Sequence, residues 1–271
     1  MNLADLEKLF TQLNVDYTYP GFYNEPSFVL QEQKDSHFLE NYADYVMLQE
    51  YTPEYLENAQ KIITSLTSFV YSELKKDGRL GACVDTNGFL MKILEKENIW
   101  SCVMQGILTI YQKVEDKIIF KYNLSPFNLN RRYGHTWLFA PPFNIVDITL
   151  RLQEYTDVNF KTLIPDECIL SNNVKLIDNI PIQDIIDYDF LQHLKRQRLR
   201  ILTLDDLSLI SPHSIKKYGS YIYEVNDLLF VYTIAGISAP DTSLEDFQSI
   251  TLSGKLPIEI YQEYLANHKP T

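Results

Sequence analysis

The segment from Arg79 to Leu94, RLGACVDTNGFLMKIL, places a cysteine where a glycine-bearing loop turns into an amphipathic helix. Helix starts favour Ser, Thr, Asp or Asn, whose side-chain oxygens accept the unpaired amide hydrogens of the first turn. Cys83 caps poorly. A thiol in that position sees the positive end of the helix dipole and the free N–H groups, both of which favour thiolate over thiol. The same amides can stabilise an oxyanion formed when sulfur attacks a carbonyl carbon. The chemistry on offer is therefore covalent acyl transfer. A single cysteine is more often a small buried hydrophobe, so Cys83 needs partners before it means anything. Asp85, two residues on, would oppose ionisation unless its carboxylate turns away from the sulfur.

Five histidines could supply a base. His37 and His268 stand in polar surroundings, His193 opens the basic run HLKRQRLR, and His213 lies in the turn SPHS. Only His135 begins an apolar strand directly after a glycine. Downstream, Asp147 sits between Val146 and Ile148, where a carboxylate is unfavourable unless paired or facing water. A three-residue turn, Ala140-Pro141-Pro142, sets Phe139 opposite Phe143, Trp137 opposite Ile145 and His135 opposite Asp147 on one sheet face. A one-residue slip breaks that pairing. In this register the carboxylate fixes the imidazole tautomer and stabilises its charged form.

The ordered set GACVDTNGFLMKIL, a β segment, GHTWLF and IVDIT resembles the transglutaminase-like superfamily of papain-like cysteine enzymes, over roughly residues 55 to 150. The resemblance implies an α+β, papain-like fold with the cysteine helix packed on an antiparallel sheet. It also implies a Cys83, His135 and Asp147 triad, and thioester chemistry on an amide or ester of a protein or peptide substrate, without metal or other cofactor. Trp137 and Asn87 are candidate substrate contacts, with core packing and a local hydrogen bond as their plainer roles. Arg79, Gly81, Cys83, Asp85 and Asn87 are also similar to the cysteine segment of arylamine N-acetyltransferases. That reading ranks second, because VDIT lacks that family's glycine-rich continuation. A catalytically silent module of the same fold that binds a protein partner is the third.

The elements that must hold these residues are legible. MNLADLEKLFTQLNV reads as a short amphipathic helix, and VDYTYPGFYNEPSF as loop whose aromatics cover the core edge. The stretch from Tyr51 to Lys76 is a long helix with Thr52 as cap, Pro53 at the first position and Gly78 as stop. The helix from Cys83 carries Phe89, Leu90, Ile93 and Leu94 on one stripe and ends near Asn98. IWSCVMQGILTIYQKV and KIIFKYNL flank Glu115-Asp116 as a hairpin, followed by a polar loop with Pro126 and two arginines, and then by HTWLFAPPFNIVDIT as two short strands. Residues 1–150 are expected to hold the catalytic core. Residues 151–271 would add an α+β extension or small second domain, with a helix in IQDIIDYDFLQHLKRQRLRIL, a strand pair in GSYIYEVNDLLFVYTIAGI and a closing helix from Pro257.

Composition narrows the classes. A chain of 271 residues with 19 Tyr and 14 Phe has ample material for a packed core. A formal net charge of −12 argues against nucleic acid or an anionic membrane surface as partner. Three widely spaced cysteines build neither a disulfide framework nor a zinc site, and Cys102 and Cys168 stand in apolar contexts as inert thiols. Without a secretory pattern at the start or an apolar run long enough to span a bilayer, the expected location is the cytoplasm. No phosphate-cradling glycine loop, nucleophile elbow or His-Glu-x-x-His helix is present.

Overall fold

In the computed structural model, which describes residues 1–115, 117–122, 134–155, 158–178, 192, 196 and 212–268, the chain is a mixed α+β protein. The predicted loop around Pro126 lies outside the described residues. So do the basic run and the helix predicted over 182–202, apart from Gln192 and Arg196. The described chain forms two compact units, each assembled from separated stretches. The first comprises Met1–Val103, Trp137–Asn172 and Ile237–Thr271, and the second Met104–Thr136 and Asn173–Gly236.

The first unit opens on helix α1, Leu3–Gln12, fixed by a reciprocal cap: Asn2 Oδ1 accepts from Asp5 N at 2.9 Å while Asn2 N donates to the Asp5 carboxylate. The aromatic stretch that follows is more deeply placed than expected at a core edge. Phe22 and Phe28 are fully buried, in a short 3₁₀ turn and in helix α2, Pro26–Glu32. They meet Phe10, Tyr42 and Tyr45 with ring centroids 4.9 to 6.2 Å apart, mostly edge to face. Tyr42 and Tyr45 come from helix α3, Glu40–Leu48, an element with no clear signal in the sequence.

Helix α4, Pro53–Asp77, begins and ends where predicted: Thr52 Oγ1 accepts from Tyr55 N, and Gly78 closes it at φ 73°, in the left-handed region. Its inward face, Ile63, Leu66, Val70 and Leu74, is buried. The C-terminal helix Pro257–His268 packs on it through Tyr264, whose hydroxyl lies 2.6 Å from Ser65 Oγ. Glu73, its side chain 1% exposed, accepts from Lys255 Nζ at 2.8 Å and Lys76 Nζ at 2.6 Å. The hydrogen bond from Lys255, then that from Lys76, holds the Glu73 carboxyl below its ordinary value of 4.5. A lowered folded-state pKa contributes stability that is complete above the unfolded value and lost as pH falls through the folded one. The urea midpoint is therefore expected to fall on acidification below about pH 4.5. In Glu73→Gln that part of the pH dependence should disappear, as urea titrations between pH 3 and 7 would show.

Strands β3, His135–Ala140, and β4, Phe143–Asp147, run antiparallel, and β5, Ile169–Ser171, pairs with β4 through Asp147 and Ile169. Every residue of β3 is buried, as is all of β4 except Asn144, which is half-buried. Such strands are covered on both faces and read as near-continuous apolar runs. The division between the units passes through β3, between Thr136 and Trp137.

The second unit carries the predicted hairpin of β1, Cys102–Gln112, from Met104 onward, and β2, Lys117–Tyr122. It also carries the predicted strand pair, β7, Ser220–Val225, and β8, Leu228–Ser238, with β6, Lys175–Ile177, on the free side of β7. Strand β1 neighbours β8. Gly106 has no room for a side chain against β8: a Cβ there would clash with the carbonyl oxygen of Thr233. The Thr233 hydroxyl in turn meets buried Ser220 Oγ at 2.6 Å.

Candidate functional site

Cys83 is the first residue of helix α5, Cys83–Lys96, and is 6% exposed. The residue before it, Ala82, makes no side-chain cap, so the first-turn amides keep their field for whatever stands at the helix start. Asp85 is turned to the C-terminal segment, where its Oδ1 accepts from Ser249 Oγ at 2.8 Å. Asn87 is fully buried, and its Nδ2 donates to the Cys83 carbonyl at 2.9 Å, one turn back along the helix.

Within the first unit, the loop that delivers Cys83 is tied to the chain that follows Asp147. Gly81, at φ 69°, donates its N–H to the Leu152 carbonyl at 2.9 Å, in the 3₁₀ turn Leu150–Leu152. A positive φ at that point favours glycine. Asp147 itself is fully buried, and its Oδ1 accepts from both Thr149 N at 3.0 Å and Thr149 Oγ1 at 3.2 Å. Two donors on one carboxylate oxygen offset the cost of burying a charge there. Gln153 Nε2 donates to the Thr149 carbonyl and holds the same turn closed.

The strand register differs from the one the turn predicted. The connection is the two residues Pro141-Pro142, with Ala140 paired to Phe143, and β4 then carries one extra residue, so that Leu138 pairs with Val146. Each change slips the register by one, and the two add. Trp137, not His135, therefore lies across from Asp147. A slip of two restores the original face, and Trp137 is two residues after His135 on the same strand face. Trp137 is fully buried. His135, in the second unit, is also fully buried, with its ring centroid 6.3 Å from that of Tyr232.

Of the other two cysteines, Cys102 is fully buried and Cys168 half-buried. Burial pushes the Cys102 thiol far up. Cys168 is pushed up to about 12, first by burial and then by the charge of Asp147, and it donates to the Thr67 carbonyl. Both stay protonated across the physiological range. Among the described residues no group of His, Cys, Asp and Glu could hold a metal ion, and no helix is long and apolar enough to cross a membrane.

One charged residue of the same helix escaped the sequence reading. Lys92 is 5% exposed, in a stretch where residues 86–94 are all buried. Its Nζ donates to Tyr23 Oη and to Glu95 Oε2, both at 2.9 Å, and lies 4.9 Å from the centre of the Tyr23 ring. A lysine embedded in Phe89-Leu90-Met91-Lys92-Ile93-Leu94 was the available signal, since a buried ammonium demands partners. Comparison with protein-family models, with curated proteins and with solved structures finds no match to this chain.

Proposed function

We propose that the protein is a cysteine acyl-transfer enzyme that hydrolyses or transfers a peptide-type amide, using Cys83, His135 and Asp147. The observation that carries the reading is the placement of Cys83 at the uncapped start of α5, on a loop fastened to the turn directly after Asp147. His135 would take the thiol proton while sulfur attacks the carbonyl carbon, and the first-turn amides of α5 would receive the oxyanion. Collapse of that intermediate breaks the C–N bond, and His135 returns the proton to the departing amine, leaving a thioester on Cys83. Water or a second amine, deprotonated by His135, then attacks the thioester and releases the thiol. Asp147 would orient the imidazole and stabilise its charged form.

The test is the pH profile of alkylation of native protein by iodoacetamide, read at Cys83 by peptide mass. A thiol of ordinary pKa, about 8.5, gains roughly a hundredfold in thiolate between pH 5 and pH 7. A thiolate held by an imidazolium changes little over that range. A flat profile at Cys83 is expected, with no modification at Cys102 or Cys168. A hundredfold rise at Cys83 would sink the proposal.

A further inference from the structure

The first unit contains a cavity of about 840 Å³, within the range of small-molecule sites. It lies toward the far end of α5: Lys92 is nine residues after Cys83, roughly 13 Å along the helix axis. Its lining is charged but unevenly matched. Lys96 pairs with Glu245 at 2.6 Å, and Lys92 with Glu95. Glu95 is further occupied by the Tyr23 hydroxyl, at 2.6 Å. That leaves Glu32, half-buried, and Asp241, exposed, both lining the cavity and neither in an ion pair among the described residues. Partial burial and the charge of Asp241 raise the Glu32 carboxyl above its ordinary value, the expected response of two carboxylates that face one space without a counter-ion.

Lys92 supplies the second specification. An ammonium has three N–H donors, and the Lys92 Nζ spends two, on Tyr23 and Glu95, leaving one for an oxygen in the cavity it lines. Because Glu95 stands beside that donor, an anionic oxygen would be repelled and a neutral hydroxyl or amide carbonyl would not. Val29 and Leu244 provide apolar wall between the polar ends. We infer that this cavity binds a small organic cation bearing a primary ammonium, held by Glu32 and Asp241, and a neutral oxygen acceptor, held by Lys92. The ligand class is that of amino alcohols and amino amides. The assignment is independent of the role given to Cys83.

Isothermal titration of the full chain with amino alcohols of three to six carbons tests it, with the alkylamine and the alcohol of matching length as comparison ligands. The inference requires saturable one-site binding of at least one amino alcohol, no binding of the plain alcohol, and weaker binding of the plain amine. The Glu32→Gln/Asp241→Asn double variant should lose about tenfold or more in affinity, since charge-assisted hydrogen bonds are the stronger kind. Glu50→Gln/Glu54→Gln, which removes the same charge from exposed positions elsewhere, should lose none. Absence of saturable binding across the series overturns the inference. So does equal affinity for amine and amino alcohol, or equal affinity in the two double variants, which would mark attraction to a chain of net charge −12. Comparing ligands keeps the Lys92 contribution testable without replacing a buried residue.

Discussion

Gly106→Ala is expected to destabilise the protein by about 3 kcal/mol or more, the upper part of the range for overpacking a filled interior. The added methyl would occupy the position of the Thr233 carbonyl oxygen, and it would also crowd the Ala235 amide nitrogen at 3.2 Å. Both neighbours are backbone, so no side chain can swing aside. Strands β1 and β8 would have to move apart, weakening their ladder and disturbing the buried Ser220 and Thr233 hydroxyl pair. Urea denaturation should show a lower midpoint with an unchanged slope, the mark of lost stability and not of a more compact unfolded state. Gly236→Ala is the matched control, because a Cβ there meets nothing within 4 Å.

The second large effect concerns the proposed triad. In His135→Ala the alkylation rate of Cys83 is expected to rise about a hundredfold from pH 5 to pH 7, where the parent protein stays flat. The sign follows from the proton inventory. With the imidazole gone, the thiolate at low pH loses its cationic partner, so the proton returns to sulfur and only rising pH removes it. Asp147→Asn should give an intermediate slope, about tenfold over the same span, because the imidazolium persists but loses its carboxylate. The amide oxygen of Asn can still accept from the amide and hydroxyl of Thr149, so the turn should survive. Using the ratio of two pH values removes the influence of access to a thiol that is only 6% exposed. A flat profile in His135→Ala would show that His135 plays no part in the ionisation.

Much of the scaffold is legible in the sequence because its local chemistry is explicit. Thr52, Pro53 and Gly78 bound α4, Pro257 opens the last helix, and the alternation in β7 and β8 declares a strand pair. Where signals were weak, tertiary packing decided. Helix α3 has no side-chain cap, and Phe22 and Phe28 look like loop aromatics until α1 and α3 close around them. At the candidate site, Cys83 at a helix start and Asp147 in a buried strand were both legible. The register was not, because the extra residue in β4 has no signature in PPFNIVD that distinguishes it from a plain strand. The tie from Gly81 to Leu152 was equally hidden, since it joins backbone groups far apart in the chain.

The hairpin of β3 and β4 sets a rule for which sequence changes the protein can survive. Its two-residue turn and the extra residue of β4 each shift the pairing by one, and together they leave Asp147 on its original face. Deleting Asn144 would remove the extra residue and pair β4 with β3 one to one, leaving Leu138 opposite Val146 and Trp137 opposite Asp147, so the carboxylate would keep its face. Length variation here is therefore admissible at the extra residue: among homologous chains, a single gap between Phe143 and Val146 should occur without loss of the carboxylate that follows.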